Sequence, residues 1–284
     1  ELTANDEVII FNHNHPSNNV AWKEKAKRYG FTVTELEVVN PHPGPDYYID
    51  LVRRSITART KLLSFTHQTN TVGDLFPAKE LCQLAHEHGV LVLVDGAQSF
   101  GLMDVNLSDM QPDFYTGSAH KWPCGPKETG VLFINNRAHD KIWPSIHSAG
   151  RGDVGISRTF ESLGQRDEPA IIAFGEALKF QQQIGMKTIQ ARSQELAQSL
   201  MEQLKTIEGV TLTTSQDPTL SQAVVVFEAS GIDARKLYNA LYDNEKIGTA
   251  GRANGLRISP HFYNLHSEID RTVAAIKHYM TTGV

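Results

Sequence analysis

The chain has 284 residues, with 27 Lys and Arg against 32 Asp and Glu, so its formal net charge is −5. Binding to nucleic acid or to an anionic membrane surface calls for clustered basic residues, which are missing, so neither is an expected partner. At 40% hydrophobic and 21% charged the composition is that of a globular enzyme, and no apolar run approaches the ~18 residues that span a bilayer.

The opening "ELTANDEVIIFNHNH" lacks a basic segment followed by an apolar one, the signature of a signal peptide. It reaches a strand almost at once, which points to a fragment of a longer protein. Cys82 and Cys124 make no disulfide framework, so a reducing, cytoplasmic setting is the default expectation.

The first half alternates strands and helices. Residues 6–12 read as a short buried strand, 18–30 as a helix stopped by Gly30, and 31–38 as a strand rich in β-branched residues. A loop, "PHPGPDYY", leads to a helix over "IDLVRRSIT" and a strand over 61–67. Residues 76–89 form the next helix, with Pro near its start and Gly at its end. The continuous apolar run "VLVLVDGAQ" (90–98) has the pattern of a central strand buried on both faces. "PDFYTGS" and "TGVLFIN" are two further strands. Repeated β-α-β units predict an α/β fold, a parallel or mostly parallel sheet with helices on both faces. After residue 150 comes a long Gly-rich polar stretch, "HSAGRGDVGISRTFESLGQRDEP", expected to be a functional loop. A long helical stretch follows over roughly 169–206, and the remainder reads strand, strand, helix, strand, helix. This predicts a large domain over 1–170, then a linking helix and a small α+β domain over 171–284. No internal repeat and no metal-ligand cluster stands out.

Ligands of open α/β sheets bind beyond the carboxyl ends of the strands. At those ends stand His15, then His67 and Asn70, then Asp95 and Gln98, then Ser118, His120 and Lys121. Lys121, in "TGSAHKWPCG", sits in a short polar insert between two apolar strands. A lysine amine forms a Schiff base with an aldehyde. Pyridoxal phosphate is the common protein-bound aldehyde, and its ring withdraws electrons well only when a carboxylate keeps its nitrogen protonated. Hydroxyls suit its phosphate, and a flat side chain suits its ring. A nicotinamide enzyme would share the sheet class, but no Gly-x-Gly-x-x-Gly follows an early strand.

"LVDGAQ" followed by "SAHKW" resembles the class V aminotransferase family of fold-type I pyridoxal-phosphate enzymes. The chain is similar in particular to its isopenicillin N epimerase and cysteine desulfurase branches. The resemblance runs through "NHNHPSNNVAW", "SFTHQTNTVG", "DFYTGSAHKWPCGPKETGVLFI", "GQRDEPA" and "LRISPHFYN". It implies a seven-stranded, mostly parallel sheet with a small C-terminal domain, and a homodimer with sites at the subunit interface. It implies that Lys121 holds pyridoxal 5'-phosphate and later moves the substrate's α-proton. Asp95 would pair with the ring nitrogen, Gln98 would bond the phenolic oxygen, and His15 would stack on the ring. Ser118 and His120 would contact the phosphate, and Asn70 would lie near the substrate carboxylate and ring oxygen. Arg257 would clamp the α-carboxylate, a task suited to a guanidinium fork.

The chain departs from the family pattern in three places. A Gly-Thr-Thr-type phosphate loop from an N-terminal stretch is absent. Gln165, in "GQRD", replaces a threonine that reaches the phosphate of the neighbouring subunit. "KIGTAGRANGLRIS" carries no cysteine where the desulfurases have theirs, so persulfide-forming desulfurase activity is not expected. The expected function is chemistry at the α-carbon of an amino acid or similar amine, of aminotransferase or epimerase type. Elimination of a β-substituent by a C–S or other lyase is the alternative. A truncated, non-catalytic binding or scaffold relative is the alternative of another class.

Overall fold

A computed structural model describes residues 2–146, 155–161 and 164–284. The first part contains β1 (Glu7–Phe11), α1 (Pro16–Tyr29), β2 (Thr32–Leu36), α2 (Pro45–Ser55), β3 (Thr60–Thr66), α3 (Ala78–Glu87), β4 (Leu91–Asp95), α4 (Leu107–Met110), β5 (Phe114–Ser118) and β6 (Gly130–Ile134). Then come α5 (Gly155–Glu161), α6 (Glu168–Ile184), α7 (Met186–Leu204), β7 (Val210–Leu212), β8 (Val225–Ala229), α8 (Ala234–Asp243), β9 (Ala250–Gly251), β10 (Gly255–Ile258) and α9 (His266–Thr282).

The large sheet runs β2-β1-β3-β4-β5-β6. Its first five strands are parallel and β6 pairs antiparallel with β5. The mostly parallel sheet is as expected, with six strands among the described residues where the resemblance implied seven. Alternate strand residues feed two cores. Ile9, Phe11, Leu63, Phe65, Val92, Val94 and Tyr115 pack on one face, and Val8, Ile10, Leu62 and Phe114 on the other. Burial on both faces explains why the strands read as continuous apolar runs.

The run 90–98 is not all strand. Asp95 Oδ1 accepts from the Ala97 N–H at 2.9 Å and closes a turn that ends β4 at Asp95. Gln98 therefore leaves the sheet as part of a tight turn. The helical stretch 169–206 is two helices, because Gly185 at φ 92° caps both α6 and α7. Within the polar stretch over 147–169, positions 147–154, 162 and 163 lie outside the described residues. The part between them is the helix α5 rather than loop.

A second, antiparallel sheet runs β7-β8-β10-β9. It packs with α7, α8 and α9 around Leu200, Phe227, Leu237, Leu256 and Ile276, and the same cluster takes in Leu102 and Trp122 from the first half. Trp122 thus ties the lysine-bearing segment to the C-terminal core. No described helix is long and apolar enough to cross a membrane.

Candidate active site

The parallel register levels three strand ends. Thr66 pairs with Asp95, and Asp95 with Thr116. The segments that follow, carrying Asn70, Gln98 and Lys121, leave the sheet from one edge.

Lys121 is half-buried in the turn after β5. Burial pushes its amine below the ordinary lysine range; the Asp95 charge opposes the shift and the Arg257 charge adds to it. These two influences bring residues from β4 and β10 into the electrostatic surroundings of the lysine. A lysine so placed is more often neutral, and hence nucleophilic or basic, than one in water. Asp95 Oδ1 is held by Ala97, whereas its Oδ2 takes no hydrogen bond among the described residues.

Gln98 is buried, and its Oε1 accepts from the Trp122 indole Nε1–H at 3.0 Å. Because an indole nitrogen only donates, the amide oxygen faces Trp122 and the NH₂ group faces away, available as a donor. Trp122 is fixed in turn. Its carbonyl accepts from Gln181 Nε2 at 2.8 Å and lies 3.1 Å from His261 Nε2. Its ring stacks on His261 at 5.1 Å.

Behind Asp95 lies a buried relay. His67 Nδ1 is 3.0 Å from Ser99 Oγ, which is 3.0 Å from the Tyr115 hydroxyl, and the backbone N–H of His67 donates to the Asp95 carbonyl at 2.9 Å. Burial pushes His67 down to about 4, so the ring is neutral at neutral pH. It supports the strand end rather than carrying charge.

Two imidazoles follow β1. His15 is exposed at the start of α1, with Nδ1 2.6 Å from Ser17 Oγ. His13 is half-buried, its Nδ1 lies shielded without a partner among the described residues, and burial lowers its pKa. His13 was not singled out from the sequence; only its burial distinguishes it from His15. Ser118 ends β5 and His120 is exposed beside Lys121, neither with a side-chain hydrogen bond among the described residues. Gln165 is exposed in the bend before α6.

Arg257 lies on β10 and directs Nη1 at the Asn70 carbonyl, 3.5 Å away. Arg252, which no sequence motif singled out, donates to the same carbonyl. Burial lowers both guanidinium pKa values, and at Arg257 the charge of Arg252 adds to the effect. The signal for Arg252 was "RANG", a tight turn that returns the chain to β10. Neither cysteine supplies a thiolate. Burial pushes the Cys82 thiol up to about 12 and raises that of Cys124, whose Sγ lies 3.7 Å from His261 Nε2.

The residues fit pyridoxal phosphate on three structural counts: a desolvated lysine amine, a carboxylate oxygen left open beside it, and an amide whose donor end is turned outward. The sequence pattern described as Aminotransferase class-V matches residues 1–272. An isopenicillin N epimerase from Amycolatopsis lactamdurans is 31% identical over 296 residues, covering 97% of this chain and 74% of the relative. A probable cysteine desulfurase from Halalkalibacterium halodurans is 33% identical over 219 residues, 74% of this chain and 53% of the relative. Among solved structures, a cysteine desulfurase from Escherichia coli superposes with a TM-score of 0.87 at 22% identity, covering 100% of this chain and 74% of that one. A cystine C–S lyase in complex with cysteine persulfide gives a TM-score of 0.88 at 22% identity, over 96% of this chain and 75% of that one.

Proposed function

The chain belongs to the class V aminotransferase family of pyridoxal-phosphate enzymes, and on that premise we propose that it acts at the α-carbon of an amino acid, as an aminotransferase or an epimerase. The observation that carries this reading is the half-buried setting of Lys121, which lowers its pKa and in which it feels the charges of one carboxylate and one guanidinium, Asp95 and Arg257.

Bound pyridoxal phosphate supplies an electron sink for the pair left when a bond to the α-carbon breaks. The protein residues do the rest. Lys121 Nζ would hold the cofactor, and its depressed pKa suits it to take the substrate's α-proton as a general base. Asp95 would keep the ring nitrogen protonated through its open oxygen. Gln98, fixed by Trp122, would donate its NH₂ to the phenolic oxygen. Ser118 and His120 would hold the phosphate, and Asn70 would serve the substrate carboxylate and the ring oxygen. His15 would cover the ring face, with His13 of the same loop as the more shielded alternative. Arg257 would receive the α-carboxylate. An aminotransferase and an epimerase differ in where the α-proton is returned.

We also propose that two copies pair, with Gln165 serving the partner's site, and that residues 1–170 and 171–284 are the two domains. Ile171 and Ile172 stand exposed near the start of α6, apolar side chains suited to contact with a second copy.

The deciding experiment is the near-visible absorption of the purified chain with pyridoxal phosphate, before and after borohydride, beside Lys121→Ala. The expected result is a band that reduction fixes to the Lys121 peptide and that the variant lacks. No band in either protein overturns the catalytic reading in favour of a non-catalytic relative.

A further inference from the structure

Arg252 and Arg257 are brought together by the second sheet. β9 and β10 pair antiparallel, with Gly251 opposite Leu256 and Ala250 opposite Arg257. The turn between them places Arg252 beside Arg257, and both guanidiniums reach the carbonyl of Asn70 at the edge of the large sheet. Among the described residues every acceptor they find is backbone: Asn70 for both, and Gly251 for Arg252. Among the described residues neither forms a salt bridge, and the Nε of each is shielded from solvent without a partner. Asp95 exerts its charge on Lys121, and no carboxylate among the described residues is paired with either arginine.

Two adjacent guanidiniums sharing one carbonyl repel each other and leave several donors idle. Desolvated charges of this kind are normally paired. The anionic groups of a substrate entering here would face two arginines that no carboxylate among the described residues neutralises. One α-carboxylate neutralises one guanidinium. An apolar side chain would cover the other without a counter-charge. Each planar fork has the geometry to take a carboxylate of its own.

We infer that Arg252 is a second anion-binding residue beside Arg257, and that the substrate is an amino acid with an acidic side chain, its α-carboxylate on Arg257 and its side-chain carboxylate on Arg252. This inference rests on the reading of Lys121 and Arg257 given above. It makes Arg252 the specificity-determining residue: it selects dicarboxylic over monocarboxylic substrates and takes no part in the proton transfer.

The test is calorimetric titration of the cofactor-loaded protein with glutarate and with butyrate, probes that carry two carboxylates or one and no amine. The unsubstituted protein binds glutarate at least about tenfold tighter, the scale of one charge-assisted pair. Arg252→Met reduces glutarate binding to the butyrate level and leaves butyrate binding unchanged, whereas Arg257→Met weakens both. Thermal melting and the cofactor band of each variant verify that it is folded and loaded. Equal binding of the two probes by the unsubstituted protein overturns the inference. So does equal weakening of both by Arg252→Met, which would mean that the two arginines clamp a single carboxylate. A protein with no Lys121-dependent band fails at the underlying reading; an intact band without glutarate preference defeats the dicarboxylate inference alone.

Discussion

Trp122 donates its indole N–H to the side-chain oxygen of Gln98 across 3.0 Å, and so decides which way the glutamine amide points. The Trp122 carbonyl is held from α6 by Gln181, and its ring stacks on His261 of the C-terminal segment. The orientation of one amide beside the lysine is therefore set by three distant parts of the chain.

Replacing Trp122 by Phe keeps a ring and removes the donor. The buried Gln98 oxygen is left unpaired, at a cost of about 1–3 kcal/mol, and the amide gains freedom to turn over. Trp122→Phe is expected to weaken pyridoxal-phosphate binding roughly five- to fifty-fold, part of that cost, and to move the absorption maximum of the bound cofactor. A spectral titration measures both. An unchanged maximum and affinity would show that the indole does not orient Gln98.

His67 governs stability on the acid side. Its native pKa of about 4 lies below the ordinary 6.5 because of burial. Above pH 6.5 the ring is neutral in both native and unfolded chains. As pH falls from 6.5 towards 4, only the unfolded chain takes the proton, so stability is lost through that window, by up to ~3 kcal/mol. His67→Gln is expected to flatten this part of a plot of unfolding free energy against pH, obtained by urea denaturation. A plot of unaltered slope would place the acid sensitivity elsewhere, with His261, which is also pushed down to about 4, as the next residue to test.

Asp74 acts with the opposite sign. It is fully buried with neither side-chain oxygen hydrogen-bonded among the described residues, and burial raises its pKa from 3.8 to about 7. Below pH 3.8 the carboxyl is protonated in both states and costs nothing. As pH rises from 3.8 to 7 the unfolded chain ionises first, so stability declines over that range. Asp74→Asn is expected to stabilise the protein at pH 8, by up to ~4 kcal/mol, and to make little difference at pH 4. Equal melting temperatures at pH 8 would mean that the Asp74 charge finds a partner.

Gly96, directly after Asp95, has no room for a side chain. A Cβ there would lie 2.1 Å from both the Cζ and the hydroxyl oxygen of Tyr115. Gly96→Ala is expected to destabilise the protein by roughly 1–3 kcal/mol by displacing the buried tyrosine ring. It would also loosen the His67–Ser99–Tyr115 relay under Asp95. Chemical denaturation gives the first effect, and reduced cofactor affinity reports the second. A variant as stable as its parent would show that the ring yields without strain.

The strands, their order of appearance and the residues at their tips were legible in the sequence, because apolar runs and β-α-β alternation follow from local burial. Motifs of fixed spacing, "LVDGAQ" and "SAHKW", carried the family and the lysine, aspartate and glutamine with it. The limits of β4 were less legible, since a side-chain hydrogen bond from Ala97 to Asp95 ends the strand within an apolar pattern. Gly185 stood in plain view in a helical stretch, but only its positive φ makes it a break between α6 and α7.

The sequence alone determined the class of sheet, the cofactor chemistry and the residues of the motif segments, because each depends on neighbours a few positions apart. Only the tertiary structure decided that Trp122 aims Gln98, that His67 is neutral, that Asp74 is buried with no side-chain hydrogen bond among the described residues, and that Arg252 stands with Arg257 over the Asn70 carbonyl. Those are effects of burial and of contacts between residues far apart in the chain. Desolvation and orientation depend on what the folded chain packs around a group, and no local pattern records that.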